Sequence, residues 1–268
     1  MQAQYDLRDF YSNAANAPSS WNTIDPVRIP EILKMLPESG VETVLEIGVS
    51  GGKIFKELCK KYSAAVGIDI SLRALLQIDK GYRVNANARS LPFKDNVFDM
   101  TVIAEVLEHL LDRELSGAVK EAARVTKHYL LINSPYRDEI NGPVAKCLRC
   151  SREFNVYGHL RSFSEKRLSN LFQRAGFVPV KTITLGPRRA WRNNCLLWLG
   201  RKLGKAYSGD YTTCPYCNKS DAINPKRNLF DKCMGRVFYS IQVFADMLIP
   251  AFFKPRAEIA ILFEKLYD

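Results

Sequence analysis

Short apolar runs alternate with amphipathic stretches along this chain from Thr43 onward. TVLEI, AAVGIDI, FDMTVIAE and HYLLINS have the character of buried strands, whereas GKIFKELCKKY, SLRALLQI and ELSGAVKEAARV have the apolar spacing of helices. Near-continuous apolar strands that are separated by helices are typical of a parallel sheet covered on both faces. The pattern therefore predicts an α/β domain that binds its ligands at the carboxyl ends of the strands.

A glycine-rich turn, VLEIGVSGGKI, directly follows the first predicted strand and precedes a helix. Two common nucleotide motifs do not fit it. A phosphate-binding P-loop needs one more residue between Gly48 and Gly52, and Ile54 stands where that loop needs a metal-binding hydroxyl. The dinucleotide motif G-x-G-x-x-G fails because Ser50 and Lys53 stand at its second and third glycine positions.

The turn resembles the first motif of the class I S-adenosylmethionine-dependent methyltransferases, an acidic residue followed by G-x-G-x-G. The match has one departure, serine for the middle glycine, and comprises Glu46, Gly48, Ser50 and Gly52. The second strand ends about 20 residues later in Asp69, where a carboxylate can accept hydrogen bonds from both hydroxyls of a ribose. By itself, Asp69 could equally cap the helix that follows Ser71.

A third segment, NANARSLPFKDNVFDMTVIAEVLEHL, carries the most specific resemblance. In this family the region reads roughly D-A-x-x-L-P-F-x-D-x-S-F-D, then an apolar strand, then E-V-L-E-H-L. Asn87 stands where the family usually has an aspartate that contacts the adenine amino group. An amide oxygen can accept the same hydrogen bond. The resemblance covers about residues 40 to 184.

The resemblance implies a seven-stranded, mostly parallel Rossmann-like sheet with helices on both faces, and S-adenosylmethionine as cofactor. It also implies that Glu46 and the glycine turn hold the methionine portion, and that Asp69 holds the ribose. Asn87 and Ala88 are expected at the adenine, with Glu105 facing the same cleft. Candidates for a general base are His109, in EVLEHL, and His159, in YGHLRSFS. For each of them a structural role remains open.

Downstream, SEKRLSNLFQRAGF predicts a helix and FVPVKTITL a sixth strand. The family's antiparallel seventh strand has one good candidate, EIAILFEKL. About 70 residues, from Gly186 to Arg256, separate these two strands, far more than a hairpin loop needs. We therefore expect an N-terminal helical segment on the substrate side (1–40), a methyltransferase core (41–184 and 257–268) and insertions that form a lid (135–160 and 186–256).

Two C-x-x-C pairs lie in the predicted insertions, Cys147 with Cys150 and Cys214 with Cys217. Four thiolates are enough for a tetrahedral zinc site, although compact zinc modules space their pairs far more closely. Parallel strands leave a sheet at one edge, so the two pairs are expected to meet and to bind structural zinc. Buried thiols or a redox dithiol are the alternatives. The other cysteines are expected to be buried: Cys59, Cys195 and Cys233.

The composition fits a globular chain with a basic surface. The 268 residues are 47% hydrophobic, carry a net charge of +11 and include seven cysteines, an odd number that argues against a disulfide framework. The first residues are polar and mixed, unlike a signal peptide. The chain is therefore expected in the cytoplasm, with peripheral contact to the inner face of the membrane as a further possibility.

Basic and aromatic residues share the stretch GPRRAWRNNCLLWLGRKLGK, which contains no acidic residue. This combination suits stacked bases, an anionic bilayer surface or a phosphorylated lipid, but equally a helix packed on the domain. The following apolar stretch, RVFYSIQVFADMLIPAFFKPR, could pack on the sheet, form a dimer face or lie in a membrane interface.

Three functions follow from these readings. The first is a methyltransferase for an oxygen or nitrogen of a small molecule, sugar or lipid-linked glycan. The second is an RNA methyltransferase that grips phosphate with the basic insertion. It is disfavoured because AEVLEH stands where many amino-nitrogen methylases of nucleic acid carry an aromatic-Pro-Pro-aromatic tetrapeptide. The third is a scaffold that retains the fold without catalysis.

Overall fold

The computed structural model describes residues 28–209, 213–217 and 219–266. These residues form two compact units. The core unit comprises residues 28–136, 163–186 and 257–266, and the insertion unit comprises residues 137–162 with the described part of 187–256. Most of the expected N-terminal helical segment, residues 1–27, lies outside the described residues.

The described residues form nine strands and seven α-helices. The strands are β1 (Thr43–Ile47), β2 (Ala64–Asp69), β3 (Tyr82–Asn85), β4 (Phe98–Ala104), β5 (Thr126–Pro135), β6 (Val144–Lys146), β7 (Glu153–Asn155), β8 (Phe177–Arg188) and β9 (Arg256–Lys265). The helices are α1 (Ile29–Leu33), α2 (Lys53–Lys61), α3 (Leu72–Leu76), α4 (Asp112–Val125), α5 (Glu165–Gln173), α6 (Asn194–Gly204) and α7 (Leu229–Met247).

Seven strands form the sheet of the core unit in the order β3-β2-β1-β4-β5-β9-β8. The pairs among β1 to β5 are parallel, and β9 runs antiparallel to β5. The predicted fold class, a mostly parallel Rossmann-like methyltransferase sheet, is confirmed. EIAILFEKL is the strand that completes it.

The middle of the sheet is buried because its strands are apolar on both faces. Met100 and Val102 of β4 belong to one core cluster with Leu131 of β5, and Phe55 and Leu58 pack against them from α2. All five side chains are almost completely excluded from solvent. Each contributes roughly 1.5–3 kcal/mol on burial, so the amphipathic face of α2 fixes that helix on the sheet.

The parallel register brings three strand ends to the same edge of the sheet. Ile47 at the end of β1 pairs with Ile68 of β2 on one side and with Ile103 of β4 on the other. The residues that follow these partners, Asp69 and Glu105, therefore flank the glycine turn that follows β1. This arrangement is the crevice at which ligands bind in doubly wound sheets.

The insertion unit contains a short hairpin and two helices. Strand β6 pairs antiparallel with β7, and Cys147 forms an isolated bridge with Ile223. Asn193 begins α6 by accepting hydrogen bonds from the N–H groups of Cys195 and Leu196. Helix α7 begins with a capping box, in which Asn228 and Asp231 bond to each other's backbone N–H groups.

The three cysteines outside the C-x-x-C pairs are less buried than expected. Cys195 on α6 and Cys233 on α7 are exposed, and Cys59 is half-buried. The expectation of burial was wrong for the first two because α6 and α7 bury glycines and polar residues at their contact. The apolar residues beside these cysteines face outward.

Candidate functional site

The glycine turn after β1 has an unusual backbone. Gly48, Ser50 and Gly52 all have positive φ angles, of 81°, 43° and 70°. A Cβ atom at Gly48 would lie 2.3 Å from Cγ2 of Val106, so only glycine fits without a shift of that neighbour. The N–H groups of Gly48 and Val49 donate to the carbonyl of Ile68 at 2.8 and 3.1 Å, which ties the turn to β2.

Glu46 places a carboxylate beneath this turn. The residue is only 3% exposed, and burial, with the negative charge of Asp69 as a smaller cause, raises the pKa of Glu46 well above its usual value. Its Oε2 atom is buried and has no hydrogen-bond partner among the described residues. A buried acceptor without a donor is costly, and it suits the ammonium group of an amino-acid ligand.

Asp69 ends β2 and holds the turn from the other side. Its Oδ2 accepts from the N–H of Ser50 at 2.9 Å, and its Oδ1 accepts from the N–H of Ser71 at 2.8 Å. Burial raises the pKa of Asp69, although these hydrogen bonds act against the rise. The side chain of Ser71 caps α3 by accepting from the N–H of Ala74, so the alternative role of Asp69 as the cap of this helix is not needed.

Asn87 and Ala88 follow the end of β3, one strand further along the same edge. The Oδ1 atom of Asn87 accepts from the N–H of Arg89 at 3.1 Å, and Asn87 forms a bridge with Ser90. Asn85 holds this segment to β2 by donating from Nδ2 to the carbonyls of Asp69 and Ile70. The segment is therefore fixed beside Asp69 by the side-chain amide of Asn85 and by the N–H of Ala86, which donates to the carbonyl of Asp69.

Glu105 and His109 follow β4. Glu105 has a positive φ of 55°, and its N–H donates to the carbonyl of Asn133 at 2.9 Å. His109 ends a 3-10 turn, with its Nε2 atom 3.9 Å from Oε1 of the buried Glu108. Both residues lie within the core unit, with Glu105 directly at the end of β4.

His159 belongs to the insertion unit, where it forms a largely buried cluster with two residues that the sequence did not single out. Its Nδ1 lies 2.6 Å from Oδ2 of Asp138. Asp138 is also paired with Arg189 through its other oxygen. A carboxylate at Nδ1 holds the imidazole ring in one orientation. No spacing signal connects these residues, because only the fold brings 138, 159 and 189 together.

A cavity of about 230 Å³ within the insertion unit adjoins His159. Charged and aromatic side chains border it together with backbone atoms of the hairpin. Arg201 lies at its wall, with Nε 3.6 Å from Oε2 of Glu153 and Nη1 donating to the carbonyl of Asn141. Tyr216, from the second C-x-x-C pair, also lines the cavity.

The two C-x-x-C pairs meet in the insertion unit. The four sulfur atoms all lie within 4.8 Å of one another, with Cys147 to Cys217 and Cys150 to Cys214 both at 3.6 Å. A disulfide requires about 2.05 Å, whereas tetrahedral zinc with bonds of about 2.3 Å separates its sulfur ligands by roughly 3.8 Å. The spacing and the four soft donors therefore fit zinc.

Comparison with known proteins agrees with this geometry. Residues 45–129 match the sequence model of a family described as a methyltransferase domain. An uncharacterized protein of Methanocaldococcus jannaschii is 30% identical over 141 residues, which are 51% of this chain. The aligned region spans 65% of the length of that curated relative.

Solved structures share the fold at low identity. A chain from the complex between the Haloferax volcanii Trm112 methyltransferase activator and a methyltransferase has a TM-score of 0.58 and 13% identity, over 98% of this chain and 99% of that chain. An S-adenosylmethionine-dependent methyltransferase from Archaeoglobus fulgidus has a TM-score of 0.54 and 20% identity, over 97% and 100%. These likenesses concern the architecture.

Proposed function

We propose that this chain, whose residues 45–129 match the sequence model of a methyltransferase domain, is an active class I S-adenosylmethionine-dependent methyltransferase. It transfers a methyl group to an oxygen or nitrogen of a small-molecule, sugar or lipid-linked glycan acceptor. The cofactor supplies a methyl carbon that its sulfonium has already activated, so the chain mainly has to bind, orient and deprotonate.

The buried Oε2 atom of Glu46 is the observation that carries this proposal. An acceptor that is hidden from water and lacks a donor gains most from a cationic ligand, and the amino group of the cofactor's methionine portion is such a ligand. Gly48 packs against the side chain of Val106 and Gly52 against that of Ile78, so the turn itself adds no side chain beside this carboxylate. The residues present therefore fit this part of the cofactor.

The remaining cofactor contacts follow the edge of the sheet. Asp69 would accept from the ribose hydroxyls with lone pairs that the backbone does not use, since each of its oxygens receives one N–H. Asn87 would accept from the adenine amino group, with Ala88 beside the ring. Glu105 would complete the pocket from the end of β4.

Proton removal from the acceptor is assigned to His159. The imidazole of His159 would accept the proton that the acceptor oxygen or nitrogen loses as it takes the methyl group that a bound cofactor would supply. Asp138 holds Nδ1 and stabilises the imidazolium that forms. His109 is the second candidate for this role.

The four clustered cysteines would hold a structural zinc ion. Four thiolates close the coordination sphere, so the ion has no open position for catalysis. Its role would be to join the loop that carries Cys147 and Cys150 to the loop that carries Cys214 and Cys217 within the insertion unit.

Isothermal calorimetry with S-adenosylmethionine tests the proposed cofactor site. We expect saturable binding, and Asp69→Ala should weaken it at least about tenfold because a ribose hydrogen bond to a charged group is lost. Asp79→Ala is the matched control, since that carboxylate is exposed and pairs only loosely with Lys56 at 3.6 Å. Absence of binding at millimolar cofactor would instead support a non-catalytic scaffold.

Transfer itself is tested with labelled cofactor and a panel of metabolites and glycans, with RNA included. His159→Gln should lower kcat by about a hundredfold or more while cofactor binding stays unchanged. Asp138→Asn should lower kcat as well, because the imidazole ring loses the carboxylate that orients it. Transfer to RNA alone would replace the acceptor class proposed here, and full activity of His159→Gln would leave His109 as the base.

A further inference from the structure

The insertion unit carries the whole net charge of the chain. Residues 137–162 and 187–256 contain 18 of the 39 basic residues but only 7 of the 28 acidic ones, which gives +11. The rest of the chain is therefore electrically balanced. A net charge of this size attracts anionic partners over distances of about a Debye length.

Helix α7 in this unit buries polar residues and a glycine, and it exposes apolar residues. Its buried residues are Asp231, Gly235 and Gln242. Four of its apolar side chains, together with that of the C-cap residue, recur at helical spacing on the outer face and are between 44% and 66% exposed. This outer stripe consists of Phe230, Val237, Ile241, Phe244 and Leu248. A helix of a soluble domain normally buries such a stripe.

The inner face of α7 is fastened to α6 without using the stripe. Gln242 donates to the carbonyl of Trp191 at 2.7 Å and accepts from the N–H of Asn193 at 2.8 Å. The backbones approach so closely that a Cβ at Gly204 would lie 2.5 Å from the nitrogen of Gly235. Small residues at a helix contact allow an apolar surface to remain available outside it.

A pair of phenylalanines extends the stripe just beyond α7. Phe252 and Phe253 stack with ring centroids 4.0 Å apart, and each is 69% exposed. Basic residues frame them, since Arg188 donates to the carbonyls of Phe252 and Lys254, and Lys254 pairs with Asp246 at 2.8 Å. Aromatic side chains beside basic ones are typical of segments that lie in a membrane interface.

We propose that the outer stripe of α7 and the Phe252–Phe253 pair dock into the surface of an anionic lipid bilayer. The apolar side chains enter the boundary between headgroups and acyl chains, and the surrounding lysines and arginines neutralise lipid phosphates. Exposed basic residues are near at hand on α7 and just before it: Lys226, Arg227, Lys232 and Arg236. Among the residues described, no helix is both long and apolar enough to cross a membrane.

The chemistry of the stripe distinguishes this partner from two others. Val237, Ile241 and Leu248 are aliphatic and cannot stack on bases, so single-stranded nucleic acid would leave these three side chains of the stripe unused. A second copy of the chain would bring together two insertion units of like charge, which disfavours a homodimer through this face. An anionic bilayer would bury the apolar stripe and would also neutralise the positive charge.

Co-sedimentation of the full chain with phosphatidylcholine vesicles, with and without phosphatidylglycerol, tests the proposal. We expect binding to the anionic vesicles that declines as salt is raised. The double variant Ile241→Glu/Phe244→Glu should bind at least about tenfold more weakly, since two apolar side chains are replaced by anions. The control Leu76→Glu/Tyr82→Glu changes two equally exposed side chains of the core unit and should bind as the unmodified chain does.

Failure of the unmodified chain to bind anionic vesicles, or unchanged binding by the stripe variant, would overturn the proposal. Two other outcomes, in the absence of vesicle binding, would also overturn it. One is a dimer of the unmodified chain that the stripe variant dissociates, and the other is binding to single-stranded RNA that the stripe variant abolishes. Circular dichroism of each variant checks that the helices remain folded. Neither measurement involves methyl transfer, so the result is independent of the proposed enzymatic function.

Discussion

At the scale of a single residue, burial and ligand binding have opposite effects on the ionisation of Glu46. Burial raises the pKa of this carboxyl, which means that the folded chain without ligand favours the protonated form. A cationic ligand favours the ionised form. Glu46 therefore lowers the free energy of unfolding of the ligand-free chain at neutral pH. The same carboxylate contributes binding energy when a cationic ligand is present.

Glu46→Gln should separate these two effects. With a raised pKa in the folded state, the free energy of unfolding falls as pH rises from the ordinary glutamate pKa toward the raised value. Glutamine cannot ionise, so the variant without cofactor should be more stable than the unmodified chain by about 1–3 kcal/mol at about pH 8 and should converge with it at acidic pH.

Thermal unfolding across that pH range measures the difference, and Glu38→Gln at an exposed position is the control. The same Glu46→Gln variant should bind S-adenosylmethionine more weakly, since its amide offers the ammonium no charge. A variant that is less stable at both ends of the pH range would contradict this account.

Some residues of the candidate site could be predicted from the sequence, and others could not. The glycine turn, Asp69 and the four cysteines could be singled out because each belongs to a local pattern with a chemical purpose. Asp138 could not, since it lies 21 positions from His159 and no periodicity connects the two. Cys195 and Cys233 were assigned to the interior because neighbouring residues are apolar, but that composition does not reveal which way a helix faces.

At the scale of elements, the C-x-x-C loops depend on the hairpin of β6 and β7. The bridge between Cys147 and Ile223 places one loop beside the other, and Arg149 pairs with Asp221 across the same junction. Cys147 and Cys214 are buried together with Phe154 and Val156 in a small apolar cluster. A cluster of this size gives limited stability by itself, so a metal ion would contribute a large share.

Zinc analysis of the purified protein should find close to one ion per chain. Cys214→Ser should lose that ion, because three thiolates bind zinc far more weakly than four. Cys233→Ser is the matched control, since Cys233 is exposed on α7 and lies outside the cluster. Retention of stoichiometric zinc by Cys214→Ser would show that the four cysteines do not form the site.

The elements themselves were predictable to different degrees. Long apolar strands and helices of the core unit stand out because their periodicity extends over many residues. The β6–β7 hairpin does not, since its strands have three residues each and show no alternation. The sequence shows the stripe of α7 as an apolar run. Only the structure shows that Gly235 and Gln242 are among the buried residues of this helix and that the stripe points away from α6.

At the scale of the whole molecule, cofactor and metal are assigned to different units. All proposed contacts to S-adenosylmethionine come from residues 46–105 of the core unit, and all four cysteines come from the insertion unit. The core unit has its own sheet and its own apolar core. Loss of metal should therefore affect the two units unequally.

Removal of zinc by a chelator should loosen the insertion unit and spare cofactor binding. Hydrogen exchange should rise in β6, β7 and the C-x-x-C loops, while the strands of the core remain protected. The affinity for S-adenosylmethionine, measured by calorimetry on the same sample, should change less than about threefold. Loss of cofactor binding in parallel with the metal would contradict independent stability of the core unit.

Strand β9 lies between β5 and β8, yet it is the last strand of the chain. Its residues from Ala257 to Phe263 are almost fully buried, so the sheet has an open slot until they arrive. During synthesis, the entire insertion unit emerges from the ribosome before this strand does. The C-x-x-C loops can therefore fold while the sheet is still incomplete, and the core unit can close only after the surface proposed to dock on the bilayer has been made.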